Sequence, residues 1–102
     1  MGSDSFKDYV LGHLAGLAGL RSRSMFGGQG LYAGDVFFGI IYQGRLYFRT
    51  SEQTRAVYVA AGMAPFRPRA GQTLRSYYEV PTGVMADPQE LLRWAQAAAR
   101  RT

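Results

Sequence analysis

The chain reads as an α+β domain, a two-layer arrangement of one antiparallel five-stranded sheet with helices mainly on one face, in the order α-β-β-β-α-β-β-α. Three observations lead there. The stretch from Met25 to Thr50 holds short runs of β-branched and aromatic residues cut by glycine-containing turns, which fit hairpins of a pleated sheet. Apolar residues recur at steps of three and four on both sides of that stretch, the period of helices with one buried face. Hairpin-joined strands with helices outside them favour an antiparallel sheet over βαβ crossovers. With 102 residues the chain has the length of one domain, covering 1–102.

Taken in order, Phe6, Tyr9, Val10, Leu14 and Leu17 mark a helix over 5–17, with Asp4 or Ser5 as its cap and Gly16 and Gly19 weakening its end. Strands follow within 24–50. Val36–Tyr42 (VFFGIIY) is apolar throughout, so both of its faces should be covered; Gly34-Asp35 and Gln43-Gly44 bound it as turns. Strict alternation puts Val36, Phe38, Ile40 and Tyr42 on one face and Phe37, Gly39 and Ile41 on the other. Arg45–Thr50 alternates in character, as a strand with two unlike faces does. Ser51 caps a helix over 52–61, with Val57, Tyr58 and Ala61 available for burial, and Gly62 suits its C-terminal exit. Strands return within 65–80, where Pro68 restricts its strand to an edge. Asp87-Pro88-Gln89-Glu90 then opens a helix over 88–100: an acidic cap, proline at the first helical position, and glutamate placed for a capping box. Leu91, Leu92, Trp94, Ala95 and Ala98 supply its apolar face, and Arg100 and Arg101 suit the negative end of its dipole.

Composition narrows the function classes. A hydrophobic fraction of 47% is a globular value and argues against extensive disorder. No apolar run approaches the ~20 residues needed to span a bilayer, and no basic-then-apolar leader opens the chain, so a cytoplasmic protein without membrane contact is expected. The absence of cysteine removes disulfides, thiolate catalysis and Cys-based zinc sites. Twelve basic residues, eleven of them arginine, stand against seven acids; the net charge of +5 hints at a polyanionic partner or reflects an arginine-rich surface.

Several motifs match a known family. Met25-Phe26-Gly27-Gly28-Gln29-Gly30-Leu31-Tyr32, Arg45–Arg49, Ala61–Phe66, Ser76–Pro81 and Asp87–Ala95 together resemble, in order and over nearly the whole chain, the N-terminal domain of the TfoX/Sxy competence regulators. The resemblance implies a compact α+β domain and a part in regulating DNA-uptake genes. In the best-known members a second, helical C-terminal domain follows, and the protein assists the cyclic-AMP receptor protein at competence promoters. Met25, Phe26, Gly27, Gly28 and Gly30 form the family motif.

Site by site, the residues point away from catalysis. The Gly27–Gly30 run lacks both the Gly-Lys-Ser/Thr ending of a P-loop and the GxGxxG spacing of a dinucleotide site. Glycines here more simply allow a bulge or close backbone approach, with Met25 and Phe26 in the core. His13 is the sole histidine and has no acidic cluster beside it in sequence. Neither a carboxylate pair nor a metal-ligand spacing is visible, so no catalytic residue, cofactor, metal or small-molecule substrate is expected. Alternation places Arg45, Tyr47 and Arg49 on one strand face, and Arg75, Tyr77 and Glu79 on one face of the last strand. Such a basic-aromatic surface could hold single-stranded nucleic acid, or be cross-strand packing with an Arg–Glu79 pair. Phe37 and Ile41, on the face away from the helices, would form the centre of a homodimer contact or of a hetero-partner's. Two functions follow: a non-enzymatic regulatory domain working through protein contacts, or a direct nucleic-acid-binding module.

Overall fold

A computed structural model describes residues 2–25, 27–69 and 72–100. Its order is α1 (Gly2–His13), β1 (Leu20–Met25), β2 (Gly28–Ala33), β3 (Val36–Tyr42), β4 (Arg45–Arg49), α2 (Glu52–Ala60), β5 (Pro65–Arg69), β6 (Gln72–Glu79), α3 (Thr82–Met85) and α4 (Pro88–Ala98). The α+β class and the antiparallel sheet hold, but among the described residues the strands number six, in the order β1-β2-β3-β4-β6-β5, with every neighbouring pair antiparallel. The additional strand is β1, LRSRSM, whose full register with β2 runs from Leu20↔Ala33 to Met25↔Gly28. α1 starts at Gly2, so Asp4 and Ser5 lie inside it rather than capping it, and it ends at His13. The remaining leucines of that stripe, Leu14 and Leu17, are buried from the turns that follow.

Local chemistry accounts for the other helix starts. The Ser51 hydroxyl accepts from the Thr54 N–H at 3.2 Å while the Thr54 hydroxyl accepts from the Ser51 N–H at 2.8 Å, a complete capping box. At α4, Asp87 Oδ1 accepts from the N–H groups of Gln89 (3.1 Å) and Glu90 (3.3 Å). The return half of that box does not form. The Asp87 N–H donates to Val84 O of the short α3, and the Glu90 carboxylate is taken by Arg93 and Trp94.

All four helices feed one core. Val10, Leu14, Tyr58, Val84, Leu91 and Ala95 meet Leu31, Phe38, Ile41, Leu46, Phe48 and Val80 from the sheet and its C-terminal exit. Ile41 is 5% exposed in this core, which corrects the expectation that it shares an outer face with Phe37. The cause is a bulge. Leu31 and Tyr32, adjacent on β2, lie opposite Gly39 and Phe37, two apart on β3, so the alternation slips at Phe38. Beyond the slip Ile41 joins Phe38 beneath the helices, and Ile40 turns to the opposite side.

That opposite side is filled by the chain itself. Ile40, Tyr47 and Phe66 form a second buried cluster, with Phe37, Tyr42, Leu74 and Tyr77 packed against it. β3 and β5 sit three places apart in the sheet, about 14 Å if flat at ~4.8 Å per strand. Yet the Tyr42 hydroxyl donates to Pro68 O at 3.3 Å, and the Tyr42 and Phe66 rings lie 5.3 Å apart. The sheet therefore curls, and its concave side closes over aromatic rings.

Candidate interaction surfaces

Of the five residues expected to make one basic-aromatic face, register sets Arg49 opposite Tyr77 and Tyr47 opposite Glu79, the ion partner of Arg45, and the chain's own groups engage all four. Arg45 donates to both Glu79 carboxylate oxygens at 3.1 Å, an ion pair at the rim. Tyr47, 9% exposed, belongs to the second cluster; burial, followed by the charge of Glu79, raises its pKa. Arg49 reaches past the sheet end to α4, donating from Nε to Ala98 O at 3.2 Å and from Nη2 to Arg100 O at 2.8 Å. It thus satisfies C-terminal carbonyls left open by the helix, the place expected for Arg100 and Arg101; Arg101 lies outside the described residues. Tyr77 is half-buried, its hydroxyl donating to Phe37 O at 3.1 Å, and burial raises its pKa against the lowering effect of Arg49. Arg75 is exposed, but Leu74 packs on the same side as Tyr77, so the alternation assumed along β6 breaks before it reaches Arg75.

A different row occupies that side of the sheet. The Arg21 guanidinium lies 5.7 Å from the centre of the Tyr32 ring, Tyr32 stacks on Phe37 at 5.1 Å, and Phe37 lies 5.2 Å from Tyr77. Arg23 is exposed on β1 in register with Gly30. Sequence reading missed this row because Arg21-Ser22-Arg23-Ser24 is polar throughout and marks neither a strand nor its faces.

The glycine motif sits where backbones meet. A Cβ on Gly28 would land on the Ile41 carbonyl oxygen, and one on Gly30 would press into the Met25 thioether and the Phe37 ring. Gly28 is the stricter requirement, because the Cβ there meets backbone of β3, whereas at Gly30 it meets the flexible end of Met25 and the edge of a ring. Gly27, with φ 78°, turns the chain between Met25 and Gly28; Phe26 lies outside the described residues. His13 is half-buried on α1 with Nδ1 2.8 Å from Tyr9 O, and among the described residues no group of three or more His, Asp or Glu could hold a metal ion.

The concavity that sequence reading missed lies between α2 and α4. It encloses about 220 Å³, with Val57 and Tyr58 on one wall, Trp94 and Ala97 on the other, and Arg49 and Arg93 at its margins. Tyr58 is 3% exposed, meets Trp94 edge-on at 4.8 Å, and has its pKa pushed far above the ordinary tyrosine value by burial. Trp94 is anchored by Nε1 donating to Glu90 Oε1 at 3.3 Å, and the other Glu90 oxygen meets Arg93 at 2.9 Å. Of the α2 residues available for burial, only Tyr58 is buried. Val57 remains 52% exposed, and Val59, on the other side of the helix, 55%. Val57 thus adds an exposed β-branched side chain to the α2 wall of the cleft, one that helix propensity does not favour.

Among known proteins, the family described as the TfoX N-terminal domain matches residues 12–102. A curated relative, the DNA transformation protein TfoX1 of Aliivibrio fischeri, is 32% identical over 84 residues, covering 80% of this chain and 40% of the relative. The chain thus spans less than half the length of that relative.

Proposed function

This chain belongs to the TfoX N-terminal domain family, and from that premise we propose that it is a non-enzymatic regulatory domain of DNA-uptake competence, acting through protein contacts. The relative's printed role in DNA transformation and the family's regulatory character support the setting. The observation that carries the mechanism is the exposed Val57 beside the α2–α4 cleft, an apolar surface with a recess, while the concave side of the sheet is occupied by the chain's own aromatics. A partner docking there gains by desolvating Val57 and the cleft walls. By family resemblance the partner is a transcription factor such as the cyclic-AMP receptor protein, and the site of action is the cytoplasm. A reporter fused to a DNA-uptake promoter, in cells lacking the native gene, tests this. Val57→Asp should lose activation at normal protein level, and full activation by that variant would refute the reading.

A second reading is direct nucleic-acid binding, favoured by the Arg21–Tyr32–Phe37–Tyr77 row and the net charge of +5. Titration with labelled single- and double-stranded DNA at low salt tests it. Binding should fall steeply with added salt as counterion release predicts, and vanish in Arg21→Glu/Arg23→Glu; no binding at low salt removes it.

A further inference from the structure

Resting on the protein-contact reading, we propose that the α2–α4 cleft receives an acidic amphipathic helix of the partner, inserting apolar side chains between Val57 and Trp94 and meeting Arg49 and Arg93 with carboxylates. Three properties of the cleft select this occupant. Its size comes first. About 220 Å³ lies below the ~300–1,000 Å³ of sites that enclose small molecules, but suits anchor side chains of a larger partner.

Backbone chemistry comes second. Both walls are helices, α2 and α4, whose amides and carbonyls are bonded within the helix, and the terminal carbonyls of Ala98 and Arg100 are taken by Arg49. An extended peptide laid here would find no strand edge to pair with, and its own N–H and C=O groups would be stranded on apolar side chains. A helix arrives with those groups already satisfied and presents apolar residues at steps of three and four.

Charge comes third. Arg49 and Arg93 flank the recess, and among the described residues no Asp or Glu lines it. Glu90, the acid near its rim, is already turned to Arg93 and Trp94. A second copy of this chain, itself at +5, would bring arginine toward arginine. A partner rich in Asp and Glu complements the rim and is steered toward it.

The probe is a synthetic peptide of about four helical turns, with Leu and Phe on one face and Glu on the other, compared with a scrambled version and one with Lys for Glu. Because Trp94 is the only tryptophan and lines the cleft, its emission reports occupancy directly. The acidic peptide should bind saturably at micromolar concentration with a shift in Trp94 emission. Affinity should fall by about tenfold or more in Val57→Asp, remain unchanged in Val59→Asp, and weaken in salt and in Arg93→Glu. Circular dichroism of each variant separates lost docking from lost fold. Equal binding of the scrambled or lysine peptide, no saturable binding, or a dimer by light scattering that Val57→Asp dissociates would overturn the proposal. Should the promoter reporter depend on Val57 while no acidic peptide binds, the partner class is wrong and the regulatory reading stands. Peptide binding that depends on Val57, with a reporter that does not, supports the site and removes the regulatory reading.

Discussion

Ile41 offers the sharpest test of how β3 is placed. Strict alternation would set it on an outer face, where truncation to alanine costs little and an aspartate would be tolerated in the monomer. The bulge at Phe38 sets it instead beneath the helices at 5% exposure, among Phe38, Leu46 and Leu91. Ile41→Ala removes three carbons, about 2.4 kcal/mol at ~0.8 kcal/mol each, and the residual cavity adds to this within the ~2–5 kcal/mol range of such truncations. A loss of about 3–4 kcal/mol translates to a Tm lower by roughly 12–30 °C for a domain of this size. The urea midpoint should drop without a change in slope, because the surface exposed on unfolding is unchanged. Ile41→Asp, which brings an unpaired carboxylate into that core, should not give a cooperatively folded protein. An Ile41→Ala melt within about 2 °C of the parent, or a folded Ile41→Asp, would refute the slipped register.

Three further outcomes are expected. Asp87→Ala leaves the Gln89 and Glu90 N–H groups without their acceptor and should cost about 0.5–2 kcal/mol in a thermal melt, with peptide binding intact where the domain is folded. Gly28→Ala drives a Cβ into the Ile41 carbonyl, a backbone atom that cannot rotate away, and should destabilise by about 1–3 kcal/mol; a parental melt would mean β2 lies farther from β3. The raised pKa of Tyr58 means the folded state holds its proton above the unfolded value near 10, so stability is fully present below about pH 10 and is lost as pH climbs beyond it. Alkaline unfolding monitored by circular dichroism should begin there and be less steep in Tyr58→Phe.

Legibility in the sequence followed the range of the interactions. Ser51 and Asp87 cap helices within three residues of themselves, and the Gln43-Gly44 turn needs only its own positive φ values, 52° and 75°. All three are local and could be read. β1 could not, because Leu-Arg-Ser-Arg-Ser-Met is too polar to advertise a strand and owes that state to pairing with β2. The slip at Phe38 is invisible in VFFGIIY for the opposite reason: every position is apolar or glycine, so no polar residue marks the change of phase. The site suffered most from distance. Arg49 finds its carbonyls 49 and 51 residues along the chain, and the Val57–Trp94 cleft joins two helices that periodicity describes only one at a time.

The two margins of the sheet carry a consequence for life in a crowded solution. A six-stranded open sheet ends in two rows of unpaired backbone groups, each a template on which another chain could grow. At one margin, β1 projects exposed Arg21 and Arg23; at the other, β5 carries exposed Arg67 and then Pro68, which has no N–H to offer. Two such sheets approaching edge to edge would bring like charges together before any hydrogen bond could form. Part of the positive charge that first suggested a polyanion thus lies where it opposes edge-to-edge growth of the sheet.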